Sequence, residues 1–220
     1  IKGSPIIIAG GYGVGSKDVF FLRTNQQLDS LHFTANFSQY NHEANDIIQT
    51  YDSNYVVVGY RMDSLGKSKD WMMKLDAMGN NLWNKKQSKL LDEGAYYAVF
   101  QNLPNRTFYA VGYSNYYGNG GKDVIVHRRN KNGYFETGAT FGAVADDVAY
   151  HLRQDKNKIL HLTGYTENYN VVLNGMYYLR MDSNFQMTNP APKLFSVGIQ
   201  QDEITTSAIK VYPNPAQDHV

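Results

Sequence analysis

Six histidines, His32, His42, His127, His151, His161 and His219, are the side chains of this sequence best suited to acid–base or metal chemistry. Their spacing builds neither. No pair fits H-E-x-x-H or another helical ligand pattern. His151 and His161 fall on neighbouring predicted strands of one unit and are expected to approach, but no carboxylate is seen to converge on them, so both read as structural. His127 follows Asp123 as Lys74 follows Asp70, and with Arg23 it reads as a register position of a repeat. Asp146-Asp147 offers two carboxylates, yet neighbours on a strand point to opposite faces. With no cysteine, the chain has no thiolate nucleophile, disulfide or thiolate metal site. No catalytic residue, metal or cofactor is assigned.

Two loop motifs imitate binding sites. "DSLGKSKD" (Asp63 to Asp70) resembles a calcium loop but lacks alternating acidic ligands and the closing Glu. "GGYGVGSKD" (Gly10 to Asp18) is glycine-rich, but Ser16-Lys17 reverses the order a phosphate-binding loop needs. Asp18, Asp70 and Asp123 are expected to accept backbone N–H bonds at turns entering strands. More promising is a rim of aromatic and amide side chains. Tyr113, Asn115, Tyr116 and Tyr117, with Asn119 nearby, and Tyr165, Asn168 and Tyr169, with Asn170 nearby, lie in inter-strand loops or beside them. Tyrosine gives a flat amphipathic platform suited to a glycan or peptide.

These loops belong to a repeat. "YVVVGY" (Tyr55 to Tyr60) returns as "FYAVGY" and "ILHLTGY", with an earlier echo in "PIIIAGG"; Gly59, Gly112 and Gly164 are 53 and 52 residues apart. "KDVFFLRTNQQ" returns as "KDWMMKLDAMG", "KDVIVHRRNKNG" and, eroded, "GMYYLRMDSN". Asp18, Asp70, Asp123 and Gly175 are spaced 52, 53 and 52. A third element recurs as "EANDIIQT", "EGAYYAVFQN" and "VADDVAYHLRQD". Each element reads as a strand rich in β-branched or aromatic residues, although "DIIQT" and "DVAYHLRQ" also pass as short helices. The recurrent glycine is expected to permit a bulge or a close backbone approach.

A unit of about 50 residues and four strands cannot cover its own apolar faces, so it must stack on copies of itself. The expected fold is all-β: a β-propeller of four-stranded blades, forming an incomplete ring in this chain. Val56, Val57, Val58, Ala110, Val111, Leu160 and Leu162 are expected on or near inner strands. Residues 1–185 hold about four blades, the first and last partial; 186–206 read as an exit strand and linker, and 207–220 as the opening of another module. The chain opens without an initiator Met or a signal pattern, as expected of a processed or partial chain.

Composition narrows the function. Of 220 residues, 42% are apolar and 18 are Tyr, which suits an ordered chain with many half-buried positions. Lys and Arg number 21 against 20 Asp and Glu, a net charge of +1 that gives no basic footprint for nucleic acid. No apolar run reaches the roughly 18 residues of a membrane span.

The repeats resemble the β-propeller-like repeats of exported proteins of Bacteroidota type, with "DWMMKLDAMGNNLW" (Asp70 to Trp83) as the best copy. Arg128-Arg129 replaces Lys74-Leu75, and Trp83 has no partner in the third repeat. The ending "IKVYPNPAQDHV" is similar to the start of the C-terminal sorting domain of type IX secretion system cargo. Val211, Tyr212, Pro213, Asn214 and Pro215 match that signature. The resemblance implies export through the periplasm and outer membrane to the surface or medium, with the secretion machinery as partner. Asp29-Ser30-Leu31 and Asp63-Ser64-Leu65 resemble an O-glycosylation site of the same phylum. Two functions stand at this point: a non-catalytic surface or extracellular module binding a glycan or protein, and an accessory domain of a larger secreted hydrolase or peptidase. The visible residues fit both, and the first is the expectation carried forward.

Overall fold

The computed structural model describes residues 6–12, 18–25, 27, 29–36, 41–86, 93–116, 118, 120–167 and 175–188. Their regular structure is entirely β. Four antiparallel sheets follow one another along the chain, each a meander of sequential strands. The first is β1 (Ile6–Tyr12), β2 (Asp18–Thr24) and β3 (Ser30–Asn36); the second is β4 (His42–Gln49), β5 (Tyr55–Met62), β6 (Ser68–Leu75) and β7 (Asn81–Lys86). The third is β8 (Gly94–Asn102), β9 (Thr107–Ser114), β10 (Asp123–Arg129) and β11 (Phe135–Phe141); the fourth is β12 (Asp147–Gln154), β13 (Leu160–Thr166) and β14 (Gly175–Met181). "DIIQT" lies in β4 up to Gln49, and "DVAYHLRQ" is β12, so both ambiguous segments are strands.

The leading strand of each sheet lies against the sheet before it. β4 packs on β1 and β2, β8 on β5 and β6, and β12 on β9 and β10, while β8 also touches β4 and β12. Three apolar layers fill these junctions. Val19 and Phe21 meet Val57, Trp71, Met73 and Leu75. Val56, Val58 and Met72 meet Val99, Phe108, Ala110 and Ile125. Tyr109, Val111, Val124 and Val126 meet Leu152, Leu160, Leu162, Leu179 and Met181. The second strands β5 and β9 carry nearly continuous apolar runs because each has neighbours on both sides and sheets on both faces. By contrast β13, in the last described sheet, buries Leu160 and Leu162 and exposes Thr163 between them and the strand end. The architecture is propeller-like, and no ring closure is seen among the described residues.

The recurrent glycines sit at one bulge geometry. Gly59, Gly112 and Gly164 lie opposite Ala44, Tyr96 and Ala149, and the pairing slips one residue directly after each partner. A Cβ on Gly112 would lie 1.8 Å from the Ala95 carbonyl oxygen, so only glycine lets the strands close there. The residues expelled from the ladder are Asn45, Tyr97 and Tyr150.

Most turns share one device. The Oδ1 atoms of Asp63, Asp76, Asn130, Asp155 and Asp182 accept the N–H groups two and four residues on. The residue three positions on turns left-handed in each, including Phe185 at φ 64°. A phenylalanine tolerates that conformation because its ring is buried against Tyr109, with centroids 6.0 Å apart.

Register corrects one part of the repeat alignment. The outer ladder slips directly after Arg23, Lys74 and Arg128, so these three share a position, and His127 stands where Met73 stands. Counting back places Asp18, Lys69 and Asp123 together, with Asp70 one residue out. Gly59 faces Trp71, twelve residues on, whereas Gly112 faces Ile125, thirteen on. The shorter β5–β6 connection slides β6 by one, and a one-residue slip turns Asp70 to the other face of its sheet.

Candidate functional site

The bulges build the most distinctive surface. Tyr97 and Tyr150, expelled from the ladders of β8 and β12, meet with ring centroids 4.8 Å apart. Tyr97 also packs on Tyr113 of β9 at 6.1 Å, and Tyr150 stacks on Tyr165 of β13 at 5.8 Å. The result is a continuous chain, Tyr113–Tyr97–Tyr150–Tyr165, crossing from the third sheet to the fourth. Tyr150 is its most open member at 48% exposed, and the other three are half-buried. Burial, with Tyr113, Tyr150 and Tyr165 close by, pushes the Tyr97 phenol up to about 12, so this ring keeps its O–H donor.

Charged groups around the chain are paired. Lys122 lies 5.1 Å from the Tyr113 ring centroid and 3.4 Å from Asp146. Glu93 meets Lys67 at 2.6 Å. Tyr60 donates to Glu43 at 2.9 Å, and burial and that carboxylate push its phenol up to about 12. Such a surface offers aromatic area and hydroxyls with little net charge.

The residues expected on the rim divide. Tyr113 and Tyr165 belong to the chain. Asn115 closes a loop instead: its Oδ1 accepts the Glu93 N–H at 2.6 Å, and its own N–H donates to the Glu93 carbonyl. Tyr116 is exposed beside it. Tyr117, Asn168 and Tyr169 lie outside the described residues, as do Val211, Tyr212, Pro213, Asn214 and Pro215. Tyr97 and Tyr150 were missed, although a signal existed: "AYYAVF" and "VAYHLR" carry tyrosine at matching places in the third repeat element.

Two further clusters were also missed. Asp70 is no turn acceptor. It is buried in β6 and faces the third sheet, where its Oδ2 lies 3.5 Å from an Arg129 guanidinium nitrogen. Arg129 also donates to the Tyr96 hydroxyl at 2.9 and 3.2 Å and to the Gly133 carbonyl at 3.1 Å. The Tyr96 hydroxyl also lies 2.6 Å from His127 Nδ1. Burial holds His127 down to about 4 and the Tyr96 phenol well above its usual range. The second cluster corrects the view that no carboxylate converges on His161. Asp155 Oδ2 lies 3.2 Å from its Nε2, and Tyr178 bonds its Nδ1. His151 is engaged separately, accepting a bond from Arg153 Nε at 3.2 Å.

Asp146 and Asp147 diverge: Asp146 accepts the Lys122 N–H and Asp147 that of Ala143. No family model and no curated protein matches the chain. No helix among the described residues is long and apolar enough to cross a membrane.

Proposed function

We propose that this chain is a non-catalytic binding module of an exported protein, its sheets the blades of a propeller arc and its tyrosine chain the ligand platform. The observation that carries the reading is the junction of Tyr97 and Tyr150, two bulge residues that face neither apolar layer and gather Tyr113 and Tyr165 around them. Tyrosine offers apolar area and a hydroxyl on one rigid side chain, the combination a sugar ring needs. The paired charges around it favour a neutral glycan, with a protein segment as the competing ligand. Export is supported by the Val211–Pro215 signature, which we read as a sorting signal for type IX secretion machinery at the outer membrane.

The platform is tested by calorimetric titration with neutral oligosaccharides. Tyr150→Ala and Tyr97→Ala should each weaken binding about tenfold, the usual cost of a central aromatic anchor. Unchanged affinity in both variants would refute the platform. Deleting residues from Lys210 onward in the full-length protein should leave folded cargo in the periplasm; normal arrival at the surface or in the medium would refute the sorting reading.

A further inference from the structure

The outer face of the fourth sheet differs in kind from the matching faces of the second and third. Two rows of side chains cross each face in ladder register. In the second sheet they are Ile48–Val56–Lys74 and Asp46–Val58–Met72. In the third they are Phe100–Tyr109–Arg128 and Ala98–Val111–Val126. Both faces are largely apolar, and each is covered by the sheet that follows. In the fourth sheet the same rows read Arg153–His161–Arg180 and His151–Thr163–Tyr178. Arg180 keeps the cation of the earlier rows, while the apolar positions of the third sheet's rows now hold a second guanidinium, two imidazoles and two hydroxyls. A face of this composition cannot seat another apolar sheet without stripping water from each group.

The balance of charge points to what it can seat. The cation closing the first row is neutralised in the earlier sheets: Lys74 meets Asp52 at 2.6 Å, and Arg128 meets Glu136 at 3.2 Å. Arg180 forms no ion pair among the described residues. Arg153 is exposed and donates to His151 rather than to a carboxylate. The nearby acids are already engaged: Asp155 holds His161, and Asp46, whose charge reaches His151, accepts the N–H groups of Val99 and Ile47. The Asp155–His161–Tyr178 chain fixes the imidazole and phenol between the arginines. Two unneutralised guanidiniums on β12 and β14, flanking His161 of β13, with hydroxyls alongside, match anionic groups carried on a sugar.

We propose that this face binds an acidic polysaccharide, with Arg153 and Arg180 taking its sulfate or carboxylate groups and Thr163 and Tyr178 its hydroxyls. The contact requires the arc to remain open beside the fourth sheet. It rests on residues other than the four tyrosines of the platform and survives if that platform has no ligand.

The test uses the intact chain and heparin as probe, with dextran as neutral control. Wild type should bind heparin at low salt, with affinity falling steeply as salt rises, and should ignore dextran at this face. Arg153→Gln/Arg180→Gln should lose tenfold or more, Tyr178→Phe a few-fold, and Lys131→Gln, an exposed cation on a turn of the third sheet, nothing. Near-ultraviolet circular dichroism checks that each variant is folded. Equal binding by wild type and the double arginine variant would overturn the proposal, as would an equal loss in Lys131→Gln or no heparin binding at all. Neutral oligosaccharide binding should be unchanged in the double arginine variant, which separates failure here from failure of the platform.

Discussion

Replacing Arg129 by methionine should damage the protein far more than replacing its whole polar cluster. Asp70, Tyr96, His127 and Arg129 occupy one set of ladder positions at the junction of the second and third sheets. The same positions hold Val19, Ala44, Met73 and Leu75 at the preceding junction and Val124, Ala149, Leu179 and Met181 at the following one. Both of those sets are packed into apolar layers. Arg129→Met takes the residue found at Met181 but leaves the Asp70 carboxylate 4% exposed and unpaired. Breaking a buried pair this way costs about 3–5 kcal/mol, a large share of an ordinary domain's stability. The fourfold change Asp70→Val, Tyr96→Phe, His127→Leu and Arg129→Met removes both charges and keeps the aromatic volume. It should fall within about 1 kcal/mol of wild type or exceed it, because well-packed apolar groups often equal a buried ion pair. Denaturant titrations followed by tryptophan fluorescence will measure both, since Trp83 packs on Phe108 at this junction with centroids 6.1 Å apart. If the fourfold variant is destabilised as much as Arg129→Met, the loss comes from packing and the charge argument is wrong.

The same cluster predicts a pH dependence. His127 is held at about 4 against an ordinary value of 6.5, so the unfolded chain takes up its proton first as pH falls. Stability from the neutral imidazole is full above pH 6.5 and drains between 6.5 and 4, by about 3 kcal/mol in all. The fourfold variant, lacking the imidazole, should lose that slope; an unchanged slope assigns it to other groups. Gly112→Ala should cost more than about 3 kcal/mol in a melt, because the new Cβ meets the Ala95 carbonyl at 1.8 Å. Gly66→Ala, at φ 73° in open space, should cost only about 1 kcal/mol, and similar losses at both sites would show that backbone crowding is not the cause.

The repeat, its strands and its glycines were legible because each rests on a run of residue types that physics treats alike. "YVVVGY" and "FYAVGY" differ in detail but share apolar continuity ending in glycine, which is what a central strand at a bulge requires. The tyrosine chain was half legible. Tyr113 and Tyr165 stood out at the edge of inter-strand loops, whereas Tyr97 and Tyr150 lay inside the strands of the third repeat element. Whether a strand residue joins the ladder or is expelled depends on the partner strand, and no local pattern in β8 or β12 records it.

The register of β6 was hidden for a sharper reason. Lys17-Asp18, Lys69-Asp70 and Lys122-Asp123 are the same dipeptide, and "WMMKL" after the second is too uniformly apolar for alternation to reveal a face. Composition at the neighbouring sheet nevertheless constrains the choice. Arg129 replaces a leucine or methionine in a packed layer, so it needs a carboxylate from the facing strand. In the observed register β6 turns Asp70, Met72 and Lys74 toward the third sheet, and Asp70 reaches Arg129. In the register that would align the shared dipeptides, β6 would set Trp71 where Asp70 now stands, leaving Arg129 without an acid and stranding Asp70 on the other face. Slip and arginine therefore account for each other: neither is tolerable at this junction without the other.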